Sequence, residues 1–189
     1  PVNRFFEQNE NRPGLKFGSE LYAFVSTRTG FFNGKPRTPQ WDAASEKYRK
    51  YESARKKEGE EGNKVFYPDV DQIACDLLMQ NFPICTNVTP ANFWDVVIAN
   101  HGVATSTTEG AKKAVSMTGY GFPCTAIFGV GNWSVGGSTP RQLLPELAQL
   151  AKGGRSMPIA YDMDDPDEKI VAFLNGRAEA RKYRAALLQ

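Results

Sequence analysis

From Val103 onward, short runs that suit β-strands alternate with segments that suit helices, and this alternation constrains the fold more than any other feature. Strands joined through helices run parallel. The expected fold is therefore α/β, a small, mainly parallel sheet with flanking helices. Strands are expected near 103–108, 124–128 and 157–162, and helices over Ala111–Thr118, Pro140–Ala151 and Asp167 to about Leu188. Ser138-Thr139 should cap the Pro140 helix, and Gly153-Gly154 should end it.

Ligands of such sheets bind in the crevice at the carboxyl ends of the strands. The apolar run Met157–Tyr161 ends there in Asp162-Met163-Asp164. Two carboxylates on one edge suit a hard cation such as Mg2+, or Mn2+ in its place. Asp165 and Asp167 enlarge the negative patch, and four carboxylates within six residues repel unless a cation or a helix dipole compensates. Asp167 and Glu168, next to Pro166, suit the N-terminal dipole of the last helix.

The run Val103–Thr108 ends likewise in Glu109-Gly110 and turns into a helix, so Glu109 is expected on the same edge as the Asp pair. Neighbouring strands lie about 4.8 Å apart, which should bring the three carboxylates within roughly 10 Å of one another. Glu109, at a helix N-terminus, is placed to pass a proton to or from a hydroxyl. Lys112 and Lys113, in the first turn of that helix, are cations suited to phosphates or a nucleic-acid backbone. Gly129-Val130-Gly131 reads as a tight turn and not as a Walker loop, since no Gly-Lys-Ser/Thr follows. Asn132 and Trp133 are candidates to contact a base or sugar, with Trp133 alternatively plugging the sheet edge.

Earlier in the chain, Val65–Pro68 looks like a short strand stopped by proline. Asp69 or Asp71 can cap a helix carrying Ile73, Leu77 and Leu78 on its buried face. A second helix is expected to start with Thr89 as cap and Pro90 as its first residue, burying Phe93, Val96 and Val97 with Trp94 as core, not as a base-stacking platform. Residues 1–40 read as a loosely structured arm or a small β-element, with a strand at Leu21–Ser26 and turn signals at Arg12-Pro13-Gly14 and Asn33-Gly34.

Trp41–Glu61 is dense in charge, with Lys47, Arg49, Lys50, Arg55, Lys56 and Lys57 set among glutamates. Such a run defaults to a solvated helix or mobile loop. Tyr48 and Tyr51 interleave with the bases and keep a nucleic-acid stacking surface as the alternative. The organisation expected is an N-terminal α+β extension over 1–100 and an α/β domain over 101–189.

Composition narrows the function classes. At 189 residues, 41% hydrophobic and 23% charged, the chain can bury one good core. No apolar run reaches the roughly 18 to 20 residues that a membrane span needs, and the run Pro1–Phe5 is not expected to belong to a signal peptide. A soluble, cytoplasmic protein with no membrane partner is expected. Cys75, Cys85 and Cys124 lack zinc or redox spacing and read as reduced, buried thiols, and the single histidine, His101, reads as a turn residue.

The order strand, Glu109-Gly110, helix, strand, Gly-rich turn, helix, strand, Asp162-x-Asp164 resembles the Toprim domain of bacterial primases, topoisomerases and related nucleases. It is more similar still to a Toprim-like domain of plasmid and phage replication proteins. There Glu109-Gly-Ala-Lys-Lys-Ala114, Gly129-Val-Gly-Asn-Trp133, Leu143-Leu-Pro-Glu-Leu147 and an aromatic-Asp-x-Asp recur, from about Tyr51 to Arg184.

The resemblance implies a primase-like, Mg2+-dependent nucleotidyl or phosphoryl transfer on nucleic acid in plasmid, phage or mobile-element DNA replication. Glu109, Asp162 and Asp164 would be the catalytic and metal residues. Lys112, Lys113, Lys50, Arg55, Lys56, Lys57 and Asn132 would hold nucleic acid. Partners would be single-stranded DNA or RNA, nucleotides, and a helicase or other replication proteins. The alternatives are a non-catalytic nucleic-acid or partner-binding module and a Toprim-type nuclease. The sequence departs from the wider pattern at Lys113, where many Toprim proteins carry an acid, and at Asp167, where primases carry glycine. A Toprim sheet usually continues into a fourth strand, which a longer protein or the N-terminal arm would have to supply.

Overall fold

The computed structural model describes residues 21–36, 40–43, 46–49, 52–53, 63–136, 139–161 and 170–188. Contacts group the chain into two compact units, Pro1–Glu61 and Gly62–Gln189. In the first, β1 (Leu21–Ser26) and β2 (Phe31–Pro36) form an antiparallel hairpin with Ser26 opposite Phe31. The turn is Thr27–Gly30, not the expected Asn33-Gly34, which lies inside β2 opposite Phe24 and Ala23. The aromatic pair Phe31-Phe32 favours strand and carries β2 through the turn-prone dipeptide.

Of the stretch 41–61, expected as a helix or loop, the residues described between 40 and 53 form strands instead, and 54–61 lie outside the described residues. β3 (Gln40–Asp42) and β4 (Lys47–Arg49) form a second hairpin, and β5 (Glu52–Ser53) pairs with β2. Trp41 lies opposite Tyr48 with ring centroids 5.1 Å apart, edge to face. Such a cross-strand pair favours the hairpin by about 0.2–1 kcal/mol, a contribution that charge patterning along the chain does not register.

The second unit is mixed α/β. α1 (Gln72–Asn81) starts at Asp71, whose carboxylate accepts the Ala74 N–H at 2.9 Å. It buries Ala74, Cys75 and Leu78, whereas Ile73, expected inside, is 67% exposed because Ala74 and Cys75 take the inward positions. α2 (Phe93–Ala99) opens three residues later than expected, after a turn over 90–92. Asn92 takes the place foreseen for Thr89, and its side-chain oxygen accepts the Thr89 N–H at 2.7 Å. Phe93, Trp94 and Val97 are buried, and Trp94 donates to the Pro68 carbonyl at 2.8 Å, so these aromatics are core as expected.

β6 (Ser106–Glu109) leads into α3 (Ala111–Gly119), β7 (Cys124–Ile127), α4 (Pro145–Leu150), β8 (Ile159–Ala160) and α5 (Ile170–Leu187). β6 is the middle strand, parallel to β7 on one side and β8 on the other. The strand expected at Val65–Pro68 is reduced to one antiparallel bridge, Phe66 with Ala126, which covers the outer edge of β7. α4 opens on Pro145 instead of Pro140, because Val135 and Trp133 pair with Gln142 and Leu144 before the helix begins.

Central parallel strands are usually aliphatic, yet Thr105, Ser106, Thr107 and Thr108 are all buried here. Hydrogen bonds make that tenable. The Thr107 hydroxyl lies 3.1 Å from that of Thr125 and accepts from the Tyr183 hydroxyl at 3.2 Å, and Thr108 donates to the Ala160 carbonyl at 2.7 Å. Successive strand residues face opposite sides. Ser106 meets Met117 of α3 and Thr107 meets Tyr183 of α5, so helices pack on both faces of β6. The core joins Val65, Tyr67, Leu78, Phe93, Val97, Ile127, Trp133, Leu147, Leu150 and Tyr183. All three cysteines are free and buried, and burial raises each thiol pKa, which keeps them neutral.

Arg155, which the sequence does not single out, is 7% exposed. Its guanidinium donates to the carbonyls of Val97 (2.7 Å), Ile98 (3.0 Å) and Val103 (2.8 Å), and to the Thr105 hydroxyl (3.1 Å). The first two carbonyls belong to the last turn of α2, where backbone acceptors lack helical partners and negative dipole charge collects. Burial lowers the arginine pKa, yet an arginine side chain stays protonated.

Substitutions at two positions test this packing. Replacing Arg155 by Ala leaves several buried acceptors without donors and should cost about 3 kcal/mol or more, with Arg155→Lys intermediate because an ammonium lacks the planar fork. Gly121 has φ +75°, and a Cβ there would lie 2.5 Å from the Leu77 carbonyl carbon of α1. Gly121→Ala should therefore cost at least about 1–3 kcal/mol. Denaturant unfolding of the three variants measures both, and wild-type midpoints would refute them.

Candidate functional site at the carboxyl edge of the sheet

Thr108 lies opposite Ala160, so Glu109 closes β6 at the edge where Ala160 and Tyr161 leave β8. Gly110 then turns the chain into α3 with φ +90°, donating its N–H to the Ile127 carbonyl at 3.1 Å. A Cβ there would meet nothing within 4 Å, so glycine is required for backbone direction and not for space. Lys112 and Lys113 follow in the first turn of α3, both exposed. Glu109 is half-buried. Asp162 and Asp164, with Asp165 and Asp167, lie outside the described residues, as do Lys50, Tyr51, Arg55, Lys56 and Lys57.

The turn after β7 reaches the same edge. The Asn132 N–H donates to the Gly129 carbonyl at 3.0 Å, as expected of a tight turn. Its side-chain amide donates to the Phe128 carbonyl and accepts from Asn63 at 3.0 Å, so Asn132 is engaged within the protein. Trp133 is 1% exposed and stacks on Tyr183 at 5.5 Å. The expected base contact by Trp133 is corrected, because a ring sealed between α5 and Arg141 has no face left for a base.

Arg141 lies over the Trp133 ring, 4.3 Å from its centroid. It donates to Glu179 at 2.6 Å, to the Ser134 hydroxyl at 2.9 Å and to the Gly131 carbonyl. Glu179 also accepts from Lys182 at 2.7 Å and from the Trp133 indole at 3.3 Å. Burial alone would raise the Glu179 pKa. Hydrogen bonds from Lys182 and Arg141, the Arg141 charge and the indole overturn that and hold it below the ordinary value.

Tyr161 donates to the Val130 carbonyl at 3.2 Å, tying the end of β8 to the turn after β7 across the end of β6. Its pKa is pushed far up, first by burial and then by Tyr183, Glu109 and Glu179, with Arg141 opposing. The phenol therefore stays a neutral donor. Glu109 is thus within electrostatic reach of the residue that precedes Asp162. Arg141, Tyr161, Glu179 and Tyr183 escape sequence reasoning because their partners lie far along the chain; only the aromatic before Asp162 carried a signal. Among the described residues, no three His, Cys, Asp or Glu side chains gather as a metal site.

Residues 93–184 are similar to a family described as a domain of unknown function, DUF3854. The chain is also 29% identical over 158 residues to an uncharacterized protein of Picosynechococcus sp. strain PCC 7002. That match covers 78% of this chain and 15% of the relative, so the chain spans a small part of that protein's length. No solved structure matches the chain. Among the described residues, no helix is long and apolar enough to cross a membrane.

Because the folded-state pKa of Glu179 is lowered, its stabilisation is fully present above the ordinary glutamate value of about 4.3 and is lost as pH falls through the lowered pKa. Glu179→Gln should lower stability at pH 7 and remove this part of the acid-side decline. Urea unfolding between pH 7 and pH 3 reads both, and parallel curves for variant and wild type would count against the assignment.

Proposed function

We propose that the second unit is a Toprim-like domain that carries out Mg2+-dependent nucleotidyl transfer on nucleic acid, primase-like in product. The observation that carries this reading is the parallel pairing of β6 with β8, which brings Glu109 to the edge where Tyr161 leads into Asp162-Met163-Asp164. The strand and helix order and the Gly129–Trp133 turn support it.

The donor chemistry fits the metal, since Glu109, Asp162 and Asp164 offer only oxygens, as Mg2+ prefers. Glu109 also already acts electrostatically on Tyr161, the neighbour of Asp162. Those three carboxylates would hold the ion. When bound, Mg2+ offsets charge developing on phosphate oxygens.

The remaining work falls to the chain. Glu109 exchanges a proton with the attacking or leaving hydroxyl at its carboxylate. Lys112 and Lys113, exposed in the first turn of α3, hold phosphates that the acidic edge would otherwise repel. Tyr161 and the Arg141–Glu179 pair fix the turn and the end of β8 around that edge. The partners follow from the primase-like reading: single-stranded DNA or RNA, nucleotides, and replication proteins such as a helicase.

Incubation with Mg2+ or Mn2+, labelled nucleotides and single-stranded DNA should extend the strand. Glu109→Gln or Asp162→Asn should slow extension by about a hundredfold or more. Shortening of the DNA would indicate a nuclease instead, and no change at all a binding module.

A further inference from the structure

We infer that the β3–β4 hairpin is a base-stacking site for single-stranded nucleic acid, separate from the carboxylate edge. Three tryptophans occur in the chain; Trp94 and Trp133 are 7% and 1% exposed, whereas Trp41 is 56% exposed. Tyr48, its partner across the hairpin, is 62% exposed. The rings meet edge to face at 5.1 Å, leaving ring surface open to solvent. Among the described residues β3 and β4 pair only with each other.

Charge selects the occupant. Lys47 precedes Tyr48, and Arg49 and Lys50 follow it. Pro1–Glu61 holds twelve Lys and Arg against nine Asp and Glu, while 62–189 holds eleven against twelve, so the basic excess belongs to the unit with the open aromatics. Exposed aromatics interleaved with Lys47, Arg49 and Lys50, in the unit that carries the basic excess, match a single strand, whose unpaired bases offer π-faces beside their phosphates. A duplex keeps its bases stacked and an apolar protein partner has no use for the cations.

The site does not depend on metal chemistry, so it is tested on the full chain in EDTA. Titration with oligo(dT) should quench tryptophan emission. Trp41→Ala and Tyr48→Ala should each weaken binding about tenfold, the size expected for one lost stacking contact. Trp41→Phe should keep most of the affinity while losing the quench, which separates lost stacking from lost folding. An abasic strand of equal length should bind wild type about as weakly as oligo(dT) binds the Ala variants. Three results would each overturn the proposal: no quenching, equal affinity for abasic and base-bearing strands, or Trp41 buried by self-association without DNA. Failure of strand extension with Mg2+ leaves this result standing, and loss of stacking leaves the carboxylate reading standing.

Discussion

The guanidinium of Arg155 is the interaction on which the geometry of the parallel sheet rests. It ties the end of α2 to Val103 and Thr105, the residues that lead into β6, from a position just before β8. The backbone continues the link, since Thr105 donates to the Ser156 carbonyl and Thr107 to that of Pro158. Burying a cation is expensive unless its donors are met. Here three oriented carbonyls and the Thr105 hydroxyl accept from it, while Nε finds no acceptor among the described residues. The return on that cost is a fixed register between β6 and β8, and hence between Glu109 and Tyr161.

The hydroxyl-rich interior of β6 serves the same end. An aliphatic strand would pack as well, but it would leave Tyr183 without the Thr107 hydroxyl and Thr125 with the Ser106 carbonyl alone. With them, α5 is keyed to one point on the sheet, and Tyr183 carries Trp133 by stacking. The indole in turn supports Arg141, so the turn after β7 is braced from beneath. Such linked contacts make substitutions here non-additive.

The resulting edge is electrostatically divided. Glu179 is neutralised by Arg141 and Lys182, which makes it a structural acid. Glu109 stands at the end of the middle strand, where its charge reaches Tyr161. Two glutamates near one phenol thus have different environments: Glu179 is held in ion pairs with Arg141 and Lys182, and Glu109 closes the middle strand.

Local rules acting within a few residues were enough to determine several features from the sequence. Strand and helix alternation foretold the small parallel sheet, Glu109-Gly110 marked the close of β6, the cap of α1 was narrowed to Asp69 or Asp71, and the cysteines could be named as buried thiols. Where two local signals competed, tertiary contacts decided. Pro145 prevailed over Pro140 because residues 142–144 were taken into backbone pairing, and Asn92 over Thr89 because its amide closes the turn. The Trp41–Tyr48 hairpin and the role of Arg155 were beyond sequence reading altogether, and the burial of Trp133 was one of two readings that sequence left open. Each depends on partners brought together from separate parts of the chain, and such proximity is a property of the packed backbone that no window of sequence contains.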